Sequence, residues 1–197
     1  MTELEKIFDE IGPKIKKTII DDYPKIREKI GKEKPYALAF VSDDEYITFW
    51  LGINTYEYLA KTDAKYNKDG VEYTTKWNPA EWGYTIADNE LAKISDGLSE
   101  KTDDIFSQLK GANNIRSFEE YNDLIESTGY PGLFIKTITE VFQELIRADV
   151  FGLDPTEVTY FITMSDDERS VEIENKSAEI LNIKKVYEEF LKRKVNY

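Results

Sequence analysis

Three acidic clusters, Asp43-Asp44-Glu45, Asp103-Asp104 and Asp166-Asp167-Glu168, hold the side chains best suited to chemistry in a chain that contains no His and no Cys. Without an imidazole or a thiol there is no Ser-His-Asp or Cys-His nucleophile pair, no zinc site of the usual Cys/His kind and no thiol redox centre. Carboxylates remain. The first and third clusters sit at the ends of segments that read as strands, so pairing of those strands would bring Asp43, Asp44, Asp166 and Asp167 together as an oxygen-rich site for Mg²⁺ or Ca²⁺. Against this, Asp is a preferred turn residue and no cluster has the spacing of a calcium-binding loop, which favours solvated turns and no bound metal. Two-carboxylate hydrolysis of a sugar or other small polar substrate also survives the absence of His. It would use the same acids in a cleft lined by Tyr46, Trp50, Tyr73, Trp77 and Trp82, although aromatic residues at strand positions more often form core.

The most distinctive local sequence is Lys76-Trp77-Asn78-Pro79-Ala80-Glu81-Trp82, which places two of the three Trp five residues apart around a polar turn. Asn78 reads as a helical cap, Pro79 as the first helical position and Glu81 as the closing member of a capping box, with the indoles packed on either side. Trp77, Glu81, Trp82 and Tyr84 are the candidate binding residues, because Trp and Tyr dominate binding hot spots. The aromatic strand pair before this motif, the Trp-Asn-Pro-Ala-Glu-Trp segment at 77–82 and a late strand ending in the acidic turn at 166–168 resemble an uncharacterised bacterial family, domain of unknown function 4303. The resemblance covers most of the chain and carries no activity, cofactor or catalytic residue with it.

The elements that must position these residues follow from periodicity. Ile7, Ile11, Ile15 and Ile19 form a helical stripe opened by a Thr2/Glu5 capping box. Gly12-Pro13 and Tyr23-Pro24 predict two or three helical pieces, closed by Gly31. Residues 36–41 and 46–53 read as a hairpin, Asn54-Thr55 as the cap of a short helix, 67–70 as a turn and 71–76 as a third strand. A helix is expected from Asp88 or Asn89 to about 110, a second from the Ser117/Glu120 capping box, and the broadest apolar face over 133–151 marks the central helix. Residues 158–164 read as the late strand, with Val171 and Ile173 extending it as a hairpin, and the segment from Ile180 as a closing amphipathic helix.

Strands early and late around about 75 residues of helix predict an α+β fold in one domain over 1–197, with a small antiparallel sheet packed against several amphipathic helices. Thirty-nine Asp and Glu against 26 Lys and Arg give a net charge of −13. That charge opposes nucleic acid, and the basic clusters Lys14/Lys16/Lys17 and Lys192/Arg193/Lys194 read as solvated helix faces. It favours a basic protein partner, with a toxin-neutralising immunity protein as the concrete version, a small-ligand-binding domain being the further alternative beside the hydrolase. No apolar run approaches a membrane span and no signal segment is evident, so the expectation is a cytoplasmic, non-enzymatic protein without a cofactor. Composition does not separate monomer from homodimer.

Overall fold

The computed structural model describes residues 1–66, 75–87, 90–165 and 167–193. The turn expected at 67–70, most of the strand expected at 71–76, and Tyr73, Asp88, Asn89, Asp166 and Lys194 lie outside them. Helix α1 (Glu3–Ile30) is continuous. Its capping box forms as the sequence requires, with the Glu5 N–H donating to Thr2 Oγ1 at 3.2 Å and the Thr2 N–H to Glu5 Oε2 at 2.6 Å. The expected breaks at Pro13 and Pro24 do not occur. Both prolines, and Asp9 and Ile20 whose carbonyls they leave without an intrahelical donor, lie on the exposed side of the helix. Ile11, Ile15, Ile19, Tyr23 and Ile26 stay buried along the other side. Gly12 is a packing site, for a Cβ there would stand 3.2 Å from Thr137 Cγ2. Gly31 ends the helix with φ +61°, a conformation L side chains avoid.

Strands β1 (Pro35–Ser42) and β2 (Phe49–Thr55) form the hairpin, and α2 (Tyr56–Tyr66) follows with the Thr55 hydroxyl accepting from the Tyr58 N–H at 3.1 Å. A 3₁₀ turn (Pro79–Glu81) leads to β3 (Tyr84–Ile86). Then come α3 (Glu90–Asn113), α4 (Phe118–Ser127), which opens on the Ser117/Glu120 capping box, and α5 (Tyr130–Arg147). Strand β4 (Thr159–Met164), α6 (Ser170–Leu181) and α7 (Lys184–Phe190) complete the described chain.

The fold is α+β, but the sheet is mixed, in the order β3-β2-β1-β4. β2 runs antiparallel to β1 and β3, whereas β4 runs parallel to β1, Ala37 facing Thr159 and Ser42 facing Met164. A parallel partner needs a long crossover, which α3 to α5 supply. β1 is buried along its whole length because both faces of the sheet are covered. Leu38, Phe40, Leu51, Ile53, Tyr160 and Ile162 meet the main core of α1, α3 and α5; Ala37, Ala39, Val41 and Phe161 meet a smaller one with Trp82, Ala178 and Phe190. Tyr36 joins Ala37 on that second face because the register shifts between Pro35 and Ala37.

Residues 170–181 are helix, where the sequence suggested a hairpin. Val171 and Ile173 alternate like a strand, yet Ile173, Ser177, Ala178 and Leu181 share a helical face, and that face covers the open edge of β4. The Tyr160 N–H donates to Asn182 Oδ1 at 2.8 Å, Asn182 Nδ2 donates to the Tyr160 carbonyl at 2.6 Å and the Ile162 N–H donates to Ser177 Oγ at 2.9 Å. Side chains therefore satisfy an edge that would otherwise template aggregation. Among the described residues no helix is long and apolar enough to cross a membrane.

The buried tyrosines set the alkaline limit of this fold. Burial raises the Tyr36, Tyr130 and Tyr160 hydroxyls well above their ordinary range and pushes Tyr23 up to about 12. A raised folded value contributes stability that is complete below about pH 10 and is lost as pH climbs through the folded values. Alkaline unfolding is expected to be cooperative, with the late part of the tyrosinate absorbance rising together with the loss of far-ultraviolet dichroism. Ionisation of all thirteen tyrosines near pH 10 with helicity retained would contradict the packing.

Candidate functional site, an acidic pocket at the end of the central strands

The loop that joins β1 to β2 is built by Asp43. Its carboxylate accepts from the Ile47 N–H at 2.9 Å and the Thr48 N–H at 3.0 Å, and its own N–H donates to the Thr48 carbonyl at 3.2 Å. Closing the loop this tightly puts Tyr46 in the left-handed region at φ +59°, an uncommon conformation for a bulky residue. Tertiary contacts hold it there. The Tyr130 hydroxyl donates to the Tyr46 carbonyl at 3.0 Å, the Ser95 hydroxyl donates to the Ile47 carbonyl, and the Tyr46 ring packs against Phe134 with centroids 5.6 Å apart.

The Tyr46 hydroxyl emerges from this core into a polar network. It donates to Asp167 Oδ2 at 3.1 Å and accepts from Arg169 Nη2 at 2.7 Å. Arg169 also donates through Nη2 to Asp167 Oδ2 at 3.0 Å and through Nη1 to Glu126 at 2.6 Å, while its backbone N–H donates to Asp167 Oδ1 at 2.7 Å. The network ties the β1–β2 loop to α4 and to the turn before α6. Burial pushes the Asp167 carboxyl up, but the donors of Arg169 outweigh it and hold the carboxyl below its usual range. Asp167 is thus a fixed anion.

Around this network lies a pocket of about 370 Å³. Among the described residues, Asp44 and Glu45, Asp103, Glu126, and Asp167 and Glu168 contribute six carboxylates to its lining against the single guanidinium of Arg169, over Phe106, Tyr121, Ile125 and Pro131. All three acidic clusters of the sequence therefore contribute to one cavity, although they are about sixty residues apart. The Tyr121 hydroxyl reports the resulting field, being raised by burial and then by the charges of Asp103 and Glu45.

Among the described residues no group of three or more acidic side chains is placed to hold a metal ion. Asp43 is committed to the loop backbone and Asp167 to Arg169 and Tyr46, while Asp44 lines the pocket. The Trp residues go elsewhere. Asn78 caps the 3₁₀ turn, accepting from the Ala80 N–H at 3.3 Å, but Glu81 does not close a capping box; its carboxylate accepts from the Tyr66 hydroxyl at 2.9 Å. Trp82 is buried in the smaller core, its Nε1 without a partner among the described residues. Trp77 stands half-buried and edge-on to Phe190 at 4.9 Å, and Tyr84 donates to Glu33 at 2.8 Å. None of these four residues lines the acidic pocket.

The sequence profile of a family described as Domain of unknown function (DUF4303) matches residues 15–183. The chain belongs to that family. The matched stretch runs from within α1 to just beyond α6, so it holds every residue of the acidic pocket and leaves α7 outside. No curated protein and no solved structure matches the chain.

Within this DUF4303 chain the Asp167–Arg169 contact is expected to contribute to stability. Asp167→Asn is expected to lower it by about 1–2 kcal/mol at neutral pH, a value kept modest because Arg169 is half exposed. A lowered folded value gives stability that is present above the ordinary 3.8 and lost as pH falls through the folded value. Urea unfolding at neutral pH and near pH 3 checks this, since the difference between wild type and variant should shrink in acid. An undiminished difference there would assign the effect to packing.

Proposed function

We propose that this protein is a non-enzymatic binding protein whose acidic pocket receives a Lys or Arg side chain of a basic protein partner. The observation that carries this reading is the convergence of three separate acidic segments on one cavity with an aromatic and aliphatic floor. A cationic side chain entering it would meet carboxylates together with the aromatic lining of Tyr121 and Phe106, and the Tyr121 ring already takes a cation, Lys110 Nζ lying 5.5 Å from its centroid. The net charge of −13 supplies a long-range field that speeds encounter with such a partner.

A bacterial immunity protein that neutralises a basic toxin is the concrete form of this proposal, acting by occupying the toxin's own anion-binding cleft. Binding is favoured over carboxylate hydrolysis because of how two acids are used. Asp167, held deprotonated by Arg169, has no proton to give as a general acid, and both Asp43 oxygens accept backbone N–H groups. Immobilised protein exposed to a lysate of its host at low salt, then eluted with a salt gradient, should release a specific basic protein. Retention of only neutral or acidic proteins, or release that ignores salt, would overturn the proposal.

A further inference from the structure

The two ends of the central strands differ in charge. The acidic pocket lies where β1 and β4 end; about 23 Å away along β1, at roughly 3.3 Å per residue, the starts of the same two strands border a second cleft of about 580 Å³, closed on its far side by α7. Among the described residues Lys34, Lys76, Lys185, Lys192 and Arg193 line it, against Glu157 and Glu189. Five cations against two anions among its described lining residues run against the chain's net charge of −13.

The cations differ in availability. Arg193 is committed to Glu174. Lys34 pairs with Glu157 at 2.8 Å and Lys192 with Glu189 at 2.6 Å, all four side chains being about half or more exposed. Exposed pairs of this kind contribute little and exchange readily for a better anion. Lys185 is exposed and makes no ion pair among the described residues. Lys76 lies 5.7 Å from the Tyr36 ring centroid and 5.0 Å from that of Trp77.

Aromatic rings supply the other half of the lining. Tyr36, Trp77 and Phe190 are anchored in the smaller core, whereas Tyr56 is 45% exposed and rests on Tyr36 with centroids 4.9 Å apart. An aromatic ring held half in water at the mouth of a cationic cleft leaves a face for a planar group to cover. The volume is in the usual range for small-molecule sites.

We infer that this cleft binds a small aromatic anion, a nucleoside phosphate being the class whose two halves match its two linings, base against Tyr56 and Trp77 and phosphate among the lysines. The Lys192/Arg193 cluster, which reads in sequence as a solvated helix face, then has Lys192 beside the ligand and Arg193 holding α7 in place.

Titration calorimetry of the full chain with the four common nucleoside monophosphates tests this. At least one should bind, with the matching nucleoside and inorganic phosphate each weaker by roughly tenfold or more, since each makes half the contacts. Lys185→Glu should weaken binding about tenfold and Tyr56→Ala about three- to tenfold. Both residues are exposed, so unchanged circular dichroism is the control for folding. No binding of any of the four at about 1 mM, or binding that both variants leave unchanged, overturns the inference. So does binding of a single-stranded oligonucleotide without binding of the mononucleotides, which would assign the cleft to nucleic acid.

Discussion

Phe134→Ala is expected to lower the stability of the protein by about 4 kcal/mol. The ring is fully buried on α5 and touches three others, Phe8 from α1, Phe49 from β2 and Tyr46 from the loop between the strands. Removing it takes away transfer free energy and leaves a cavity at a junction of four segments, none of which can collapse without moving the others. With a denaturant slope of about 2 kcal/mol per molar urea for a chain of this size, the midpoint should fall by roughly 2 M. Phe134→Leu should lose only about 1–1.5 kcal/mol. The same truncation removes the ring that supports Tyr46 in its left-handed conformation, so the acidic pocket should lose partner affinity even where the variant is still folded. A loss below about 1.5 kcal/mol would mean that the ring is not at such a junction.

Arg193→Ala is expected to cost about 3 kcal/mol. Its side chain is 3% exposed, donates through Nη2 to Glu174 Oε2 at 2.8 Å and through Nη1 to Asn175 at 2.7 Å, and lies 3.8 Å over the Phe190 ring. Glu174, itself 12% exposed, also accepts from the Thr163 hydroxyl at 2.6 Å. The single truncation strands a buried carboxylate, and that is where most of the cost arises. Replacing both members by Arg193→Met and Glu174→Leu should recover most of it, giving a coupling of about 2 kcal/mol in a double-mutant cycle followed by urea unfolding. Additive losses would show that the ion pair does not join α7 to α6.

The features legible in the sequence are those decided within a few residues. Capping boxes at Thr2/Glu5 and Ser117/Glu120, the glycine stop at Gly31, and the strand and helix periods of 36–41, 158–164 and 133–151 all depend on local backbone groups and side-chain spacing. What was not legible depends on partners distant in sequence. Pro13 and Pro24 stay inside one helix because they lie on its exposed side while the opposite stripe is buried against α3 and α5. The direction of β4 is set by the crossover rather than by its own residues, and 170–181 is a helix because the open edge of β4 offers Ser177 and Asn182 backbone groups to bond.

The same division explains the site. Asp43-Asp44-Glu45 and Asp166-Asp167-Glu168 stood out as turns and Asp103-Asp104 as part of a helix, and Asp43 does build its turn. Their convergence required the tertiary fold, and nothing local marks Glu126 or Tyr121 as members. Tyr46 and Arg169 carried a weak signal, each being a residue of different character next to an acidic run. The Trp-Asn-Pro-Ala-Glu-Trp segment advertised a cap correctly, but the destination of Glu81 was decided by Tyr66 on α2.

Whether the acidic pocket takes a basic side chain of a partner can be read from a parallel capture. Wild type and the Glu45→Lys/Asp103→Lys variant, both changes being at solvent-facing rim positions, would be immobilised at equal density and exposed to the same host lysate at low salt. The basic protein held by wild type should be lost from the variant, by roughly a hundredfold in affinity if each reversal is worth about 1.4 kcal/mol. Equal retention of that protein on both surfaces would contradict it.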